Sequence, residues 1–356
     1  MMLATGVFVT TATNALFSFH FTKCAVDQNL QVYTDIDAFK SSKHSRKVAC
    51  FQMPYPVDPA FENTVTDLLP FCDNVLILMS ELHDNTVAFI QRNDSKQISY
   101  FICGDLDWQP NHSPVHKFYD WFSTTVHFYK YEQPRLLTDQ LTPYVTKPKM
   151  FDALLGRKKY HRDFVYDRID KDNNCVTYLN DHVCDFGNED KWRWESDGLE
   201  VNRPVEWTVD RVNYYGYNLS LSQIVPIEVY NETAYSLITE TSYSNHYTFY
   251  TEKTVKPILG RRLFVAFSGK HSLRNLRSIG FKTFSDVIDE SYDQVESLDQ
   301  RFTMALEQVK YLSTQNQAAV LEKIRPICEH NFAHMMGTDW YRQYFMPAFV
   351  TYFLQT

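Results

Sequence analysis

Short runs of consecutive apolar residues, each followed by a stretch with helical spacing, recur along the chain. The clearest is Asn74–Met79 (NVLILM), which has no alternating polar side and predicts a strand covered on both faces. Residues 3–9, 47–53 and 98–103 read the same way, with helices over 63–69 and 86–92 between them. Residues 13–24 start a helix or a longer loop. The aromatic stretch 116–131 (HKFYDWFSTTVHFYKY) reads as helix, and Pro134, Pro143 and Pro148 then punctuate a loop-rich passage. A domain boundary falls near Lys149.

The second half repeats the pattern. Residues 151–156 form a strand and turn, and Arg157-Lys158-Lys159-Tyr160-His161-Arg162-Asp163 leads a helix running to Ile169. Residues 173–179 are a strand, and 180–223 read as a long irregular insertion. The densest pattern lies between Ser236 and Phe284. Ser236-Leu237-Ile238-Thr239-Glu240 is a buried strand ending in a carboxylate, followed by a polar and aromatic loop over 241–250. Thr251 suits the N-cap of a helix with Glu252 in its first turn, and Gly260 suits its stop. Pro257 keeps that helix short or kinked. A strand over 263–267, the Ser268-Gly269 turn and a helix over 272–279 complete the unit. The fold class is therefore α/β, with parallel strands and helical crossovers. Charged side chains sit where such sheets bind ligands, at the carboxyl ends of strands. Farther on, 300–321 reads as one long amphipathic helix, and the aromatic chain from Pro326 as a terminal helix.

Composition narrows the class. With 44% hydrophobic and 22% charged residues the chain has the makeup of a globular protein, and 356 residues suffice for two domains. A net charge of −8 argues against broad binding to a nucleic-acid backbone, while leaving room for a local basic site. The 23 Tyr, 26 Phe and 6 Trp suit sugar-binding surfaces, although a large aromatic core accounts for most of them. Seven cysteines show neither a CxxC pair nor metal-ligand spacing, so buried free thiols and a reducing, cytoplasmic compartment are expected, with no metal. Residues 1–22 lack charged side chains, yet no basic segment precedes the apolar run and Thr5, Thr10, Thr11, Thr13, Asn14 and His20 interrupt it. That argues against a signal peptide or a membrane span.

A strand ending in Glu240, an aromatic loop, Tyr250-Thr251-Glu252-Lys253 opening a helix and then an apolar strand resembles the donor-binding half of fucosyltransferase-like glycosyltransferases of the GT-B class. The likeness covers about a third of the chain, and it rests on the order of these parts as well as on Thr-Glu-Lys. It implies two Rossmann-like domains facing a cleft. Residues 1–148 would form an acceptor domain and 149–325 a nucleotide-sugar-binding domain, with 326–356 packing back on the first. In such enzymes the Glu and Lys of the motif hold the ribose and diphosphate, which here are Glu252 and Lys253, and Tyr250 is grouped with them. An Arg early in the second domain contacts the diphosphate. Arg162 matches that place best, Arg157 second, though the family's residues around it are not reproduced. Glu240 would bind the sugar or orient Lys253.

Glu81, His83 and Asp105 follow strands of the first half and are the candidate general bases for an acceptor hydroxyl, on a glycan or another acceptor such as a modified base in DNA. Residues of these types after strands are also ordinary caps and turn formers. The expected activity is sugar transfer from a nucleotide-sugar without an essential metal or other cofactor. The alternative is an inactive GT-B-like protein that binds a glycan or assists assembly. A different nucleotide enzyme finds no support, since the chain has no Gly-rich P-loop and no Ser-His-Asp elbow.

Overall fold

The computed structural model describes residues 6–9, 21, 24–53, 59–79, 84–179, 195–196, 199–200, 211–214, 217–220 and 225–354. The protein is α/β, built on two six-stranded, mainly parallel sheets. It divides into two compact units. One comprises Met1–Ser123, Tyr215–Tyr217 and Asp339–Thr356, the other Thr124–Tyr214 and Asn218–Thr338.

In the first unit, β1 (Gly6–Val9), β2 (Gln31–Tyr33), β3 (Lys47–Gln52), β4 (Asn74–Met79) and β5 (Ile98–Cys103) are followed by a two-residue extended segment, β6 (Asp105–Leu106), and by β7 (Val115–Phe118). The sheet order is β2-β1-β3-β4-β5-β7, with every pairing parallel. From Val75 on, β4 is wholly buried, as its unbroken apolar run requires. The Pro59–Leu68 and Asp84–Arg92 helices supply the crossovers on either side of it. The strand order reverses between β1 and β3, and the residues after those two strands, 10–20 and 54–58, lie outside the described ones. The chain end belongs to this unit. The rings of Phe345 and Phe349 pack tilted against Phe21, each with centroids 5.5 Å away, and Tyr352 donates to Ser99 Oγ at 2.7 Å while lying 2.6 Å from His116 Nε2.

Two stretches depart from the sequence pattern. Residues 116–131 are not one helix: β7 joins the sheet edge beside β5, the Asp120–His127 helix follows, and Phe128–Glu132 winds as a π-helix. In Val115-His116-Lys117-Phe118 the exposed Lys117 and buried Phe118 alternate as a strand requires, which the aromatic run beyond obscures. Residues 300–321 are likewise two helices, Leu298–Ser313 and Gln317–Gly337. Asn316 Oδ1 accepts the Ala319 N–H at 2.9 Å and so caps a new start, and Pro326 lies inside the second helix instead of opening a terminal one.

The second unit carries β8 (Lys149–Arg157) and β9 (Cys175–Leu179). The short strands β10 (Glu195–Ser196), β11 (Leu199–Glu200), β12 (Arg211–Tyr214) and β13 (Tyr217–Ser220) come next. After them are β14 (Thr233–Thr239), the two-residue β15 (Tyr247–Thr248) and β16 (Phe264–Phe267). Its main sheet runs β11-β10-β9-β8-β14-β16, and β9, β8, β14 and β16 are mutually parallel. Most of the 180–223 segment lies outside the described residues. Below the sheet, Arg262 is buried and saturated. It donates to Asp152 Oδ2 at 2.9 Å, Ser236 Oγ at 3.0 Å, and the carbonyls of Tyr230, Thr233 and Tyr235 at 2.9, 2.7 and 2.9 Å. Burial pushes the Asp152 carboxyl up, against the pull of Arg262 and Ser236. Among the described residues no helix is long and apolar enough to cross a membrane.

Candidate functional site

In the second sheet the chain leaves β8 for β9 on one side and returns to β14 on the other. The strand order thus reverses between β8 and β14. Loops from two such strands part to opposite faces and leave a crevice at their carboxyl ends, the usual ligand position of an open α/β sheet. Arg157 ends β8 and Thr239 ends β14, so the residues that follow each strand meet there.

From the β8 side come Lys159, His161 and Arg162. Lys159 Nζ donates to the Thr241 carbonyl at 2.8 Å, tying this loop to the one after β14. Arg162 is buried, and its Nη1 stands 3.6 Å from where a Cβ on Gly156 would be, placing the guanidinium against the end of β8. His161 is fully buried, and its Nε2 lies 2.6 Å from the Glu240 carbonyl. A carbonyl only accepts, so Nε2 carries the proton and Nδ1, which has no hydrogen-bond partner, is a bare acceptor. Burial, reinforced by the charges of Arg162, Lys159 and Lys253, pushes the imidazole pKa down to about 3, so it is neutral at ordinary pH. The side chain of Arg157 lies outside the described residues.

From the β14 side, the expected cap and stop are both present: Thr251 caps the Glu252–Leu259 helix and Gly260 ends it. The anchor is Glu240. Its Oε1 accepts the Thr251 N–H at 3.0 Å and the Thr254 hydroxyl at 2.6 Å, and its Oε2 accepts the Thr251 hydroxyl at 2.7 Å and the Thr241 N–H at 3.1 Å. Four protein donors therefore engage this carboxylate. Tyr250 is buried, and its hydroxyl donates to the Ser272 carbonyl at 2.6 Å. Asp293, also buried, accepts the Leu273 and Arg274 N–H groups at 2.8 and 2.9 Å and so caps the Ser272–Ser278 helix. Glu290 accepts from Thr283, Phe284 and Arg277. The acidic stretch after Phe284 thus contributes two internal anchors. With carboxylates already at both helix starts, an anion here would be held by side chains more than by helix N–H groups.

Those side chains are Lys253, Arg162 and Lys159. Lys253 Nζ lies 2.7 Å from Glu252 Oε1 and 3.4 Å from both the Thr241 and Thr251 hydroxyls. The pair remains reachable, with side chains 19% and 14% exposed for Lys253 and Glu252. Burial would raise the Glu252 pKa, but Lys253 and Lys256 outweigh it and hold the group below the ordinary value. Lys256, one turn on, is pushed down to about 8 by burial, with Lys253 adding to the shift and Glu252 and Asp152 opposing it. Lys256 escapes a motif-based reading because it lies outside Thr-Glu-Lys. Its signal is spacing, since residues 252 and 256 share a helix face.

In the first unit, Asp105 is only 3% exposed and forms an ion pair with Lys117, while Tyr119 donates to it at 3.3 Å. Glu81 and His83 lie outside the described residues. Among the described residues no group of three or more His, Cys, Asp or Glu is placed to hold a metal ion. No protein-family model matches the chain, and no curated protein matches it in sequence.

Proposed function

We propose that the protein is a glycosyltransferase of the GT-B kind, with two Rossmann-like units, that moves a sugar from a nucleotide-sugar to an acceptor hydroxyl. The observation that carries this reading is the gathering of Lys159, Arg162 and the Glu252–Lys253 pair at the β8/β14 reversal. In this reading Lys253 and Arg162 neutralise the charge that grows on the departing nucleoside diphosphate, a task that needs preplaced cations and no covalent chemistry from the protein. Glu252 accepts hydrogen bonds from the ribose hydroxyls once Lys253 turns to phosphate. Glu240 and Tyr250 act by shaping the loop and the helix start, since protein groups already occupy their polar atoms.

The acceptor hydroxyl needs a base, for which Glu81, His83 and Asp105 are the candidates. The engagement of Asp105 by Lys117 and Tyr119 favours a second reading, a GT-B-like protein that binds a nucleotide-sugar or glycan without transferring it. A thermal-shift titration with nucleoside diphosphates and their sugars tests the first step. One nucleotide should stabilise the wild type and lose its effect in Lys253→Ala. No shift with any of them at millimolar concentration would remove the basis for the transferase reading and leave the glycan-binding one. Hydrolysis or transfer of the bound sugar, followed by product analysis, separates the enzyme from the inactive binder.

A further inference from the structure

We propose that the nucleobase of the donor stacks on Tyr243. The inference rests on the nucleotide reading above and assigns the part of the ligand that the cations do not reach.

Tyr243 lies in the 241–250 loop, three residues past Glu240, in the segment that follows the strand on one side of the reversal. The loop holds four Tyr or Phe rings, and three are occupied. Tyr247 and Phe249 are buried and stack on one another at 5.8 Å, and Tyr250 is buried with its hydroxyl on Ser272. Tyr243 alone of the four is part-exposed. Its ring packs against His161, with centroids 4.6 Å apart. His161 is uncharged and backs the tyrosine as a neutral flat ring.

The backbone of Tyr243 is held fast. Buried Arg301 donates through Nη2 to the Tyr243 carbonyl at 3.2 Å, through Nη1 to Asn245 Oδ1 at 2.8 Å and the Val295 carbonyl at 2.7 Å, and through Nε to the Ser268 carbonyl at 3.2 Å. A ring fixed in advance loses little freedom when a base settles on it. The cations stand close by. Lys159 contacts the carbonyl of Thr241 and Lys253 its hydroxyl, two residues from the ring. Two residues span at most about 7 Å, a gap that a ribose bridges between a diphosphate and a base.

The test is isothermal titration of the full-length chain with UDP, GDP, ADP and CDP, and with inorganic pyrophosphate as a probe without a base. Tyr243→Ala should weaken the preferred nucleoside diphosphate roughly ten- to hundredfold and leave pyrophosphate unchanged, while Tyr243→Phe restores the affinity. If the alanine variant fails to fold, Tyr243→Leu keeps bulk over His161 without the π face and should show the same selective loss. Unchanged nucleotide affinity in the variant, or an equal loss for pyrophosphate, overturns the assignment and leaves the nucleotide reading standing. A wild type that binds none of the four nucleotides overturns both.

Discussion

Both oxygens of the Glu240 carboxylate face Thr251: one accepts its backbone N–H at 3.0 Å and the other its hydroxyl at 2.7 Å. The residue just after β14 and the residue capping the next helix are thereby locked, although ten residues of loop separate them. Glu240→Gln places an amide donor among four donors. It should destabilise the protein by about 1–3 kcal/mol, with Thr251→Ala costing about 1 kcal/mol. Urea unfolding measures both, and an unshifted midpoint for Glu240→Gln would show that the lock contributes nothing.

His161 gives a pH dependence with a definite sign. Its folded pKa of about 3 lies below the ordinary value of 6.5, so the unfolded chain binds a proton that the folded one refuses. The contribution is fully present above pH 6.5 and is lost as pH falls toward 3. His161→Gln should therefore lose less stability than the wild type across that window. Parallel acid-unfolding curves for the two proteins would refute the assignment of a neutral imidazole.

Lys256 behaves in a related way at alkaline pH. Its pKa falls from 10.5 to about 8 on folding, so the folded chain gives up the proton first, and the cost of burying the ammonium is felt below pH 8 and relieved between 8 and 10.5. Lys256→Met should be more stable than the wild type near pH 7 by about 1–3 kcal/mol, the advantage fading by pH 10. Melting temperatures taken across this range decide it.

Breaking the Arg262–Asp152 pair leaves a buried charge without its counterpart. Either Arg262→Met or Asp152→Ala should cost about 3–5 kcal/mol, and the double variant less than the sum of the two. A double-mutant cycle in urea provides the coupling, and strict additivity would contradict the geometry.

The loop that carries Tyr243 rests on a close backbone approach as well as on Arg301. A Cβ on Gly269 would stand 2.5 Å from the Ser244 carbonyl oxygen, which the backbone cannot easily yield. Gly269→Ala should destabilise by about 1–3 kcal/mol and weaken nucleotide binding in step. Full stability with full binding would show that the loop tolerates the shift.

What could be read from the residues was local. Thr251 and Gly260 are legible because a cap and a stop depend on neighbours within a turn, and Asn74–Met79 because a wholly apolar run fits only a covered strand. Asn316 carried the same kind of signal, but the helical spacing on both sides of it hid the break. The edge strand Val115–Phe118 was masked by the aromatic run beyond it. Arg262 and Arg301 were beyond reach for another reason: their partners lie up to 110 and 58 residues away, and neither residue sits in a motif. The carboxylate of Glu240 could be placed at a strand end, but only the folded chain reveals that protein donors fill it.

Arg301 also sets a timetable. During synthesis the chain emerges from its amino end, and β14, the 241–250 loop and β16 are all complete well before residue 301 appears. Until the Leu298–Ser313 helix leaves the ribosome, Arg301 cannot hold the carbonyls of Tyr243 and Ser268, and the loop rests on its other ties, among them those to Lys159, Glu240 and Ser272. A nascent chain stalled near residue 290 would hold every residue of the Thr-Glu-Lys motif and still lack the guanidinium that fixes the Tyr243 backbone, so the site is completed by a residue outside the motif.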